Sequence, residues 1–200
     1  CREKNVLFWR AVLLEDMADR SVTETESMQS MQQMWTAMKS ASEQYDRTQV
    51  SASGLVGKMG AQMEEYRQSK RAAMRFICLK GDCKSIGDGR IQCLYEADRG
   101  STDSRCMRGC CRLYWFPFMK KNGVSEDEVI HALYTAAGIG QVIASRAFIA
   151  GAAGGCQAEI GAASAMAAGA LVFLQGGDEE QISHGAAMAL KICWDWCVIR

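Results

Sequence analysis

The chain carries one proline in 200 residues, two histidines and no excess of charge of either sign, with Lys+Arg and Asp+Glu both at 23. Scarce proline removes the strongest helix breaker, and 12 methionines add a residue that favours helices. An all-α fold is the expectation. Balanced charge leaves no basic face for nucleic acid and no acidic tail for a cationic partner, so no nucleic-acid partner is expected. No methionine opens the chain, and no signal-peptide core follows Arg2-Glu3-Lys4-Asn5. That reads as a fragment of a cytoplasmic protein. One run, 147–174, is long enough to cross a membrane. It is mostly Ala and Gly, and Glu159 near its middle would cost about 3 kcal/mol or more in lipid, so no membrane is expected.

What the chain does have in excess is cysteine, ten in all. Cys78, Cys83, Cys93, Cys106, Cys110 and Cys111 crowd one segment, and Cys193 and Cys197 the last few residues. A zinc-binding module built from Cys78, Cys83, Cys106, Cys110 and Cys111 is one reading. Its spacings, Cys78-x4-Cys83 and Cys106-x3-Cys110, depart from the paired CxxC of zinc sites, and no histidine lies nearby.

Along the chain, positions 6–17 read as a short helix. From Val22 to Tyr45, Met28, Met31, Met34, Trp35, Met38 and Tyr45 recur three and four apart, the stripe of an amphipathic helix facing a core, and Thr23-x-x-Glu26 caps its start. Ser51-Ala52-Ser53-Gly54-Leu55-Val56-Gly57 breaks the period; such a loop suits either an anion cradle or a flexible linker. Positions 63–74 resume helical spacing, and the segment from about 77 to 115 is irregular. Ser125-x-x-Glu128 is a second capping box, followed by Val129, Ile130, Leu133 and Ala137 on one face and by Gly138 and Gly140 as an expected stop. An Ala/Gly segment follows, packed around Cys156. Gly176-Gly177 breaks it, and Asp178 with Gln181 caps a last helix to about Lys191.

Within the small-residue run, Gly154-Gly155-Cys156-Gln157-Ala158-Glu159-Ile160-Gly161 places a thiol, a carboxamide and a carboxylate within four positions. A buried structural cysteine is one reading and a reactive site the other. This block, with Ser164-Ala165-Met166-Ala167-Ala168, closely resembles the α-chain signature of the bacterial iron–sulfur L-serine dehydratases. Thr135-Ala136-Ala137-Gly138-Ile139-Gly140, Ala189-Leu190-Lys191, Ser51-Ala52-Ser53-Gly54-Leu55-Val56-Gly57 and Val12-Leu13-Leu14-Glu15-Asp16-Met17 match in family order. The resemblance covers about 6–66 and 116–191.

The resemblance implies an all-α multi-helix catalytic domain that deaminates L-serine to pyruvate and ammonia with a [4Fe–4S] cluster as Lewis acid and no pyridoxal phosphate. Cys156 matches the first cluster ligand. Ser51, Ser53 and Gly54 become candidates for gripping substrate, and Glu159, Lys191 and His184 weak catalytic candidates. A separate β chain, or a homodimer, is the implied partner. A non-catalytic helical fragment is the other alternative to the enzyme.

The family's second cysteine ligand lies in Gly-Leu-Val-Cys-Asp-Pro shortly after a helix ending Ala-Leu-Lys-Asn, and the third follows about eleven residues on by the same resemblance. Here Lys191 is followed by Ile192-Cys193-Trp194-Asp195-Trp196-Cys197-Val198-Ile199-Arg200. Reverse-translated and read from the third base of Lys191, that tail permits Asn-Met-Leu-Gly-Leu-Val-Cys-Asp-Pro. Shifted frames likewise permit Pro-Thr-Ala-Gly across Ala97 to Gly100 and Gly-Val-Leu-Pro-Ala across Arg108 to Arg112. The expected organisation is one partial catalytic domain over 1–200. Within it, 1–76 holds the N-terminal helices and serine loop, 77–115 an out-of-frame segment, 116–191 the helical core, and 192–200 an out-of-frame tail.

Overall fold

The computed structural model describes residues 6–43, 65, 122–149 and 151–198, with the backbone alone for 41–43, 151, 152, 156 and 192–198. The serine loop, the irregular segment with its six cysteines, and Tyr45 lie outside the described residues. Those described form helices and turns without a strand. The helices are α1 (Phe8–Arg20), α2 (Glu24–Glu43), α3 (Glu126–Ala144), a single turn α4 (Gly151–Gly154), α5 (Cys156–Leu174) and α6 (Glu179–Val198). The expected all-α class is what the structure has.

Helices α2, α3 and α6 start where a side chain satisfies orphan backbone donors. For α2, Thr23 Oγ1 accepts from the Glu26 N–H at 3.4 Å while the Glu26 carboxylate accepts from the Thr23 N–H at 2.8 Å. Ser125 and Glu128 repeat the reciprocal pair at α3. At α6, Asp178 accepts from the Gln181 N–H at 2.8 Å and Gln181 accepts in return at 3.0 Å. The backbone hydrogen bonds hold the Glu26 and Glu128 carboxyls below the usual carboxylate range.

Helix α3 is the central element. It packs against α1 and α2 and also against α5, which in turn packs against α6. Its residues from Val129 to Ala136, except half-buried His131, are buried, as are Gly138, Ile139 and Gly140. Leu13, Trp35, Val129, Ile130 and Leu133 are the largest fully covered apolar side chains, each contributing on the order of 1.5–3 kcal/mol by leaving water. On α2 the buried positions are Ser27, Trp35 and Met38, with Met28 and Met31 partly covered. Met34, expected in that stripe, is 51 % exposed, because it faces outward one position before Trp35.

Gly138 and Gly140 do not end α3, which continues to Ala144. They are contact positions instead. A Cβ on Gly138 would stand 2.4 Å from Val12 Cγ2 and 2.9 Å from Phe8 Cζ, and one on Gly140 would stand 2.5 Å from the tip of Met166. Glycine therefore lets α1 and α5 close onto two sides of α3. The same device recurs on α5, where a Cβ on Gly169 would meet Ile139 Cδ1 at 2.2 Å, and on α6, where one on Gly185 would meet Val172 at 2.8 Å. Between these contacts Ala162, Ala163, Ala165, Ala167 and Ala170 are buried. The small residues of α5 thus give the tight helix packing expected of them, while the Cys156 side chain lies outside what the structure describes. The window Gln157–Leu174 is long and apolar enough to span a membrane by length and composition; in this fold it lies between α3 and α6.

Val172 meets both Gly177 and Gly185, Gly169 meets Ile182, and Ala165 clusters with Ile182 and Ala186, so α5 and α6 run antiparallel. Helix α6 extends to Val198, past the stop expected near Lys191.

Gly138→Ala is expected to lose about 1–2 kcal/mol, because overpacking against β-branched Val12 outweighs the helix-propensity gain of about 1 kcal/mol. Gly140→Ala should stay within about 1 kcal/mol of the parent, since the flexible Met166 tip can move. Urea denaturation measures both; a Gly138→Ala protein as stable as the parent contradicts this packing.

Candidate functional site

The Gly154-Gly155-Cys156 turn is built by two glycines with different duties. A Cβ on Gly154 would come within 2.8 Å of Ala158 Cβ and 3.0 Å of Phe148 Cβ, so a side chain there would push the turn apart. Gly155 has φ +83° with open space around it, so its requirement is conformational: L residues other than glycine rarely adopt that backbone. As N-cap its carbonyl accepts from Ala158 N–H at 3.1 Å and Glu159 N–H at 3.5 Å. Cys156 is consequently the first residue of α5.

That position has a chemical meaning. The first turn of a helix presents N–H groups without intrahelical acceptors and the positive end of the macrodipole, which favours a thiolate over a thiol. Gln157 is exposed and Glu159 half-buried on the same turn. Beside the turn, Phe148 is 69 % and Ile160 44 % exposed, so the surround is apolar and open. A cysteine at a helix N-terminus is of the kind that can serve as a ligating or nucleophilic thiolate.

The remaining sequence-derived candidates are not gathered there. His184 and Lys191 are exposed on α6. Gly185, next to His184, meets Val172 and Ala168, and Ala168 is twelve residues along α5 from Cys156, roughly 18 Å at 1.5 Å per residue. Lys191 is seven residues closer to the α6 end that runs back toward Cys156. Ser51, Ser53 and Gly54, and the zinc-module cysteines, lie outside the described residues. Among the described residues no three His, Cys, Asp or Glu side chains come together to hold a metal.

Two polar constellations went unseen in the sequence. In the first, the Ser27 hydroxyl donates to Asp16 Oδ2 at 2.5 Å and lies 2.6 Å from the Tyr134 hydroxyl. Ser27 has one proton, already given to Asp16, so Tyr134 is the donor to Ser27. The chain ties α1, α2 and α3 together, and burial pushes the Tyr134 hydroxyl above its ordinary pKa. In the second, Trp9 stacks on His131 with ring centroids 3.7 Å apart, and the Arg10 guanidinium stands 5.9 Å from the Trp9 ring. Arg10 also pairs with Glu24, and burial draws the His131 pKa down. One signal was available for the first: Ser27 is a polar residue on the buried stripe of α2.

With this geometry in place, the relatives fall into line. Residues 108–194 match the family model described as serine dehydratase alpha chain. The probable L-serine dehydratase, alpha chain, of Bacillus subtilis is 29 % identical over 193 residues, covering 95 % of this chain and 63 % of the relative. The L-serine dehydratase, alpha chain, of Peptoniphilus asaccharolyticus is 28 % identical over 196 residues, covering 95 % and 65 %. A third relative, the probable L-serine dehydratase, alpha chain, of Latilactobacillus sakei, is 48 % identical over 72 residues, covering 36 % of this chain and 34 % of its own. No solved structure matches. The chain is thus similar to the L-serine dehydratase alpha chains, and it spans a little under two thirds of the length of the first two.

Ser27→Ala is expected to cost about 1–3 kcal/mol, because it leaves the buried Tyr134 hydroxyl without its acceptor. Tyr134→Phe added to Ser27→Ala should recover part of that loss. A double-mutant cycle by thermal denaturation reads the coupling, and independent effects of the two changes would exclude the relay.

Proposed function

We propose that the chain is the alpha part of a cytoplasmic L-serine ammonia-lyase, converting serine to pyruvate and ammonia, with Cys156 as one thiolate ligand of a [4Fe–4S] cluster and without pyridoxal phosphate. The observation that carries the reading is the glycine turn that sets Cys156 at the head of α5, in the sequence block most similar to the family. A thiolate at a helix N-terminus is the donor an iron–sulfur cluster takes. The fit is for one ligand. The described residues bring no further set of metal donors together, so the others come from elsewhere in the protein.

When bound, such a cluster supplies a Lewis-acid iron for the substrate hydroxyl. The chain's own contribution is to hold the Cys156 sulfur as thiolate through the α5 N-terminus, and to present Glu159 on the same turn as a carboxylate able to orient a ligand or accept a proton. Ser51, Ser53 and Gly54 are assigned to the serine carboxylate, because their sequence pattern offers hydroxyl and backbone N–H donors. Lys191 and His184 are the weaker candidates, given their places along α6. The exposed Phe148 and Ile160 beside the turn favour cover by a β chain or by a second copy.

The tail after Lys191 departs from the family's second-ligand motif, and a single lost nucleotide there accounts for the departure. An intact reading frame in the parent DNA through Gly100 and Lys191 excludes that account. As written, the chain should take up little or no cluster on anaerobic reconstitution with iron and sulfide. The frame-restored protein should show the charge-transfer absorption, and its Cys156→Ser variant should not. Near-stoichiometric iron with that absorption in the chain as written, or cluster retained by Cys156→Ser, contradicts the assignment.

A further inference from the structure

Helices α1, α2 and α3 enclose a cleft of about 410 Å³, within the size range of small-molecule sites, and no residue of α5 or α6 lines it. Its floor includes Ser27 and Tyr134, each 2 % exposed and bonded to one another. This polar floor is rigid, because its hydrogen bonds are complete within the protein.

Charges of both signs stand on the rim. Arg20 pairs with Asp16 at 3.2 Å, with side-chain exposures of 49 % and 28 %. An ion pair that exposed contributes about 0–1 kcal/mol, so little opposes its opening. The Gln141 side chain lines the same cleft and makes no hydrogen bond with any described residue. An apolar wall completes it, formed by Met31 with the exposed side of Met34.

These groups select among ligand classes. A simple anion would take Arg20 and leave Asp16 with the Ser27 hydroxyl alone; a simple amine would take Asp16 or Asp19 and leave Arg20 without its carboxylate. A zwitterion replaces one exposed pair by two, and a chain that covers Met34 adds apolar burial. We infer that the cleft binds a free α-amino acid with an unbranched apolar side chain. Its carboxylate lies on Arg20 and the Gln141 N–H, its ammonium on Asp16, and its side chain on Met31 and Met34. L-Serine is too short and polar to cover that wall, so this site is distinct from the one proposed for lyase chemistry.

Isothermal titration of the full chain with L-methionine tests this. Saturable binding is expected, weakened about tenfold or more for L-methionine methyl ester, which lacks the carboxylate charge, and for the 2-hydroxy analogue, which lacks the ammonium. Arg20→Gln and Gln141→Ala change exposed side chains, so both should melt like the parent while binding L-methionine more weakly. Cys156→Ser should bind as the parent does, which keeps this result separate from the fate of the lyase reading. Absence of saturable L-methionine binding, equal affinity for the ester, or unchanged affinity in Arg20→Gln overturns the inference.

Discussion

The closeness of α3 to its neighbours, with Gly138 against Val12 and Ile139 against Gly169, is the constraint the rest of the structure depends on. Large side chains at these contacts would hold the helices apart. With glycine there, α1 and α5 reach α3 from two sides, and the buried alanines of α5 line the interface between them. The core is consequently of two kinds. Around α1, α2 and α3 it is made of Leu13, Trp35, Ile130 and Leu133; between α3, α5 and α6 it is mostly alanine and glycine. The alanine side derives its stability from closeness and the other from bulk. The glycine–cysteine turn hangs from the alanine side, so the position of Cys156 follows from how α5 seats on α3.

Much of this was legible in the residues, for reasons that can be named. The three helix starts at Thr23, Ser125 and Asp178 were readable because a capping pair is local, closed within four residues. The methionine stripe was readable because its period is that of the helix, and Met34 failed only by one position of phase. Gly138 and Gly140 were misread because glycine is ambiguous in one dimension: it marks a helix stop when the chain must turn and a contact when another helix must come close. Their neighbours Val12 and Met166, distant in sequence, decide between the two. The Asp16–Ser27–Tyr134 chain was hidden for the same reason, since its second link joins residues 107 positions apart.

The site divides in the same way. Two glycines before a cysteine at the head of an alanine-rich helix can be recognised in sequence, and the structure adds why each glycine is needed: Gly154 for approach and Gly155 for its φ. It also gives the backbone place of Cys156, the first residue of α5, in a turn that Gly154 and Gly155 shape. The cleft among α1, α2 and α3 had no local signature, because its walls come from three helices and its chemistry from their arrangement.

The central claim is that the Cys156 turn belongs to a serine-deaminating centre. Pyruvate formation from L-serine by the frame-restored protein, reconstituted anaerobically with iron and sulfide and with a β chain supplied if one is needed, tests it most directly. The account predicts turnover in that protein and its loss in Cys156→Ser, with the fold of the variant unchanged by circular dichroism. Undiminished turnover in Cys156→Ser would contradict it.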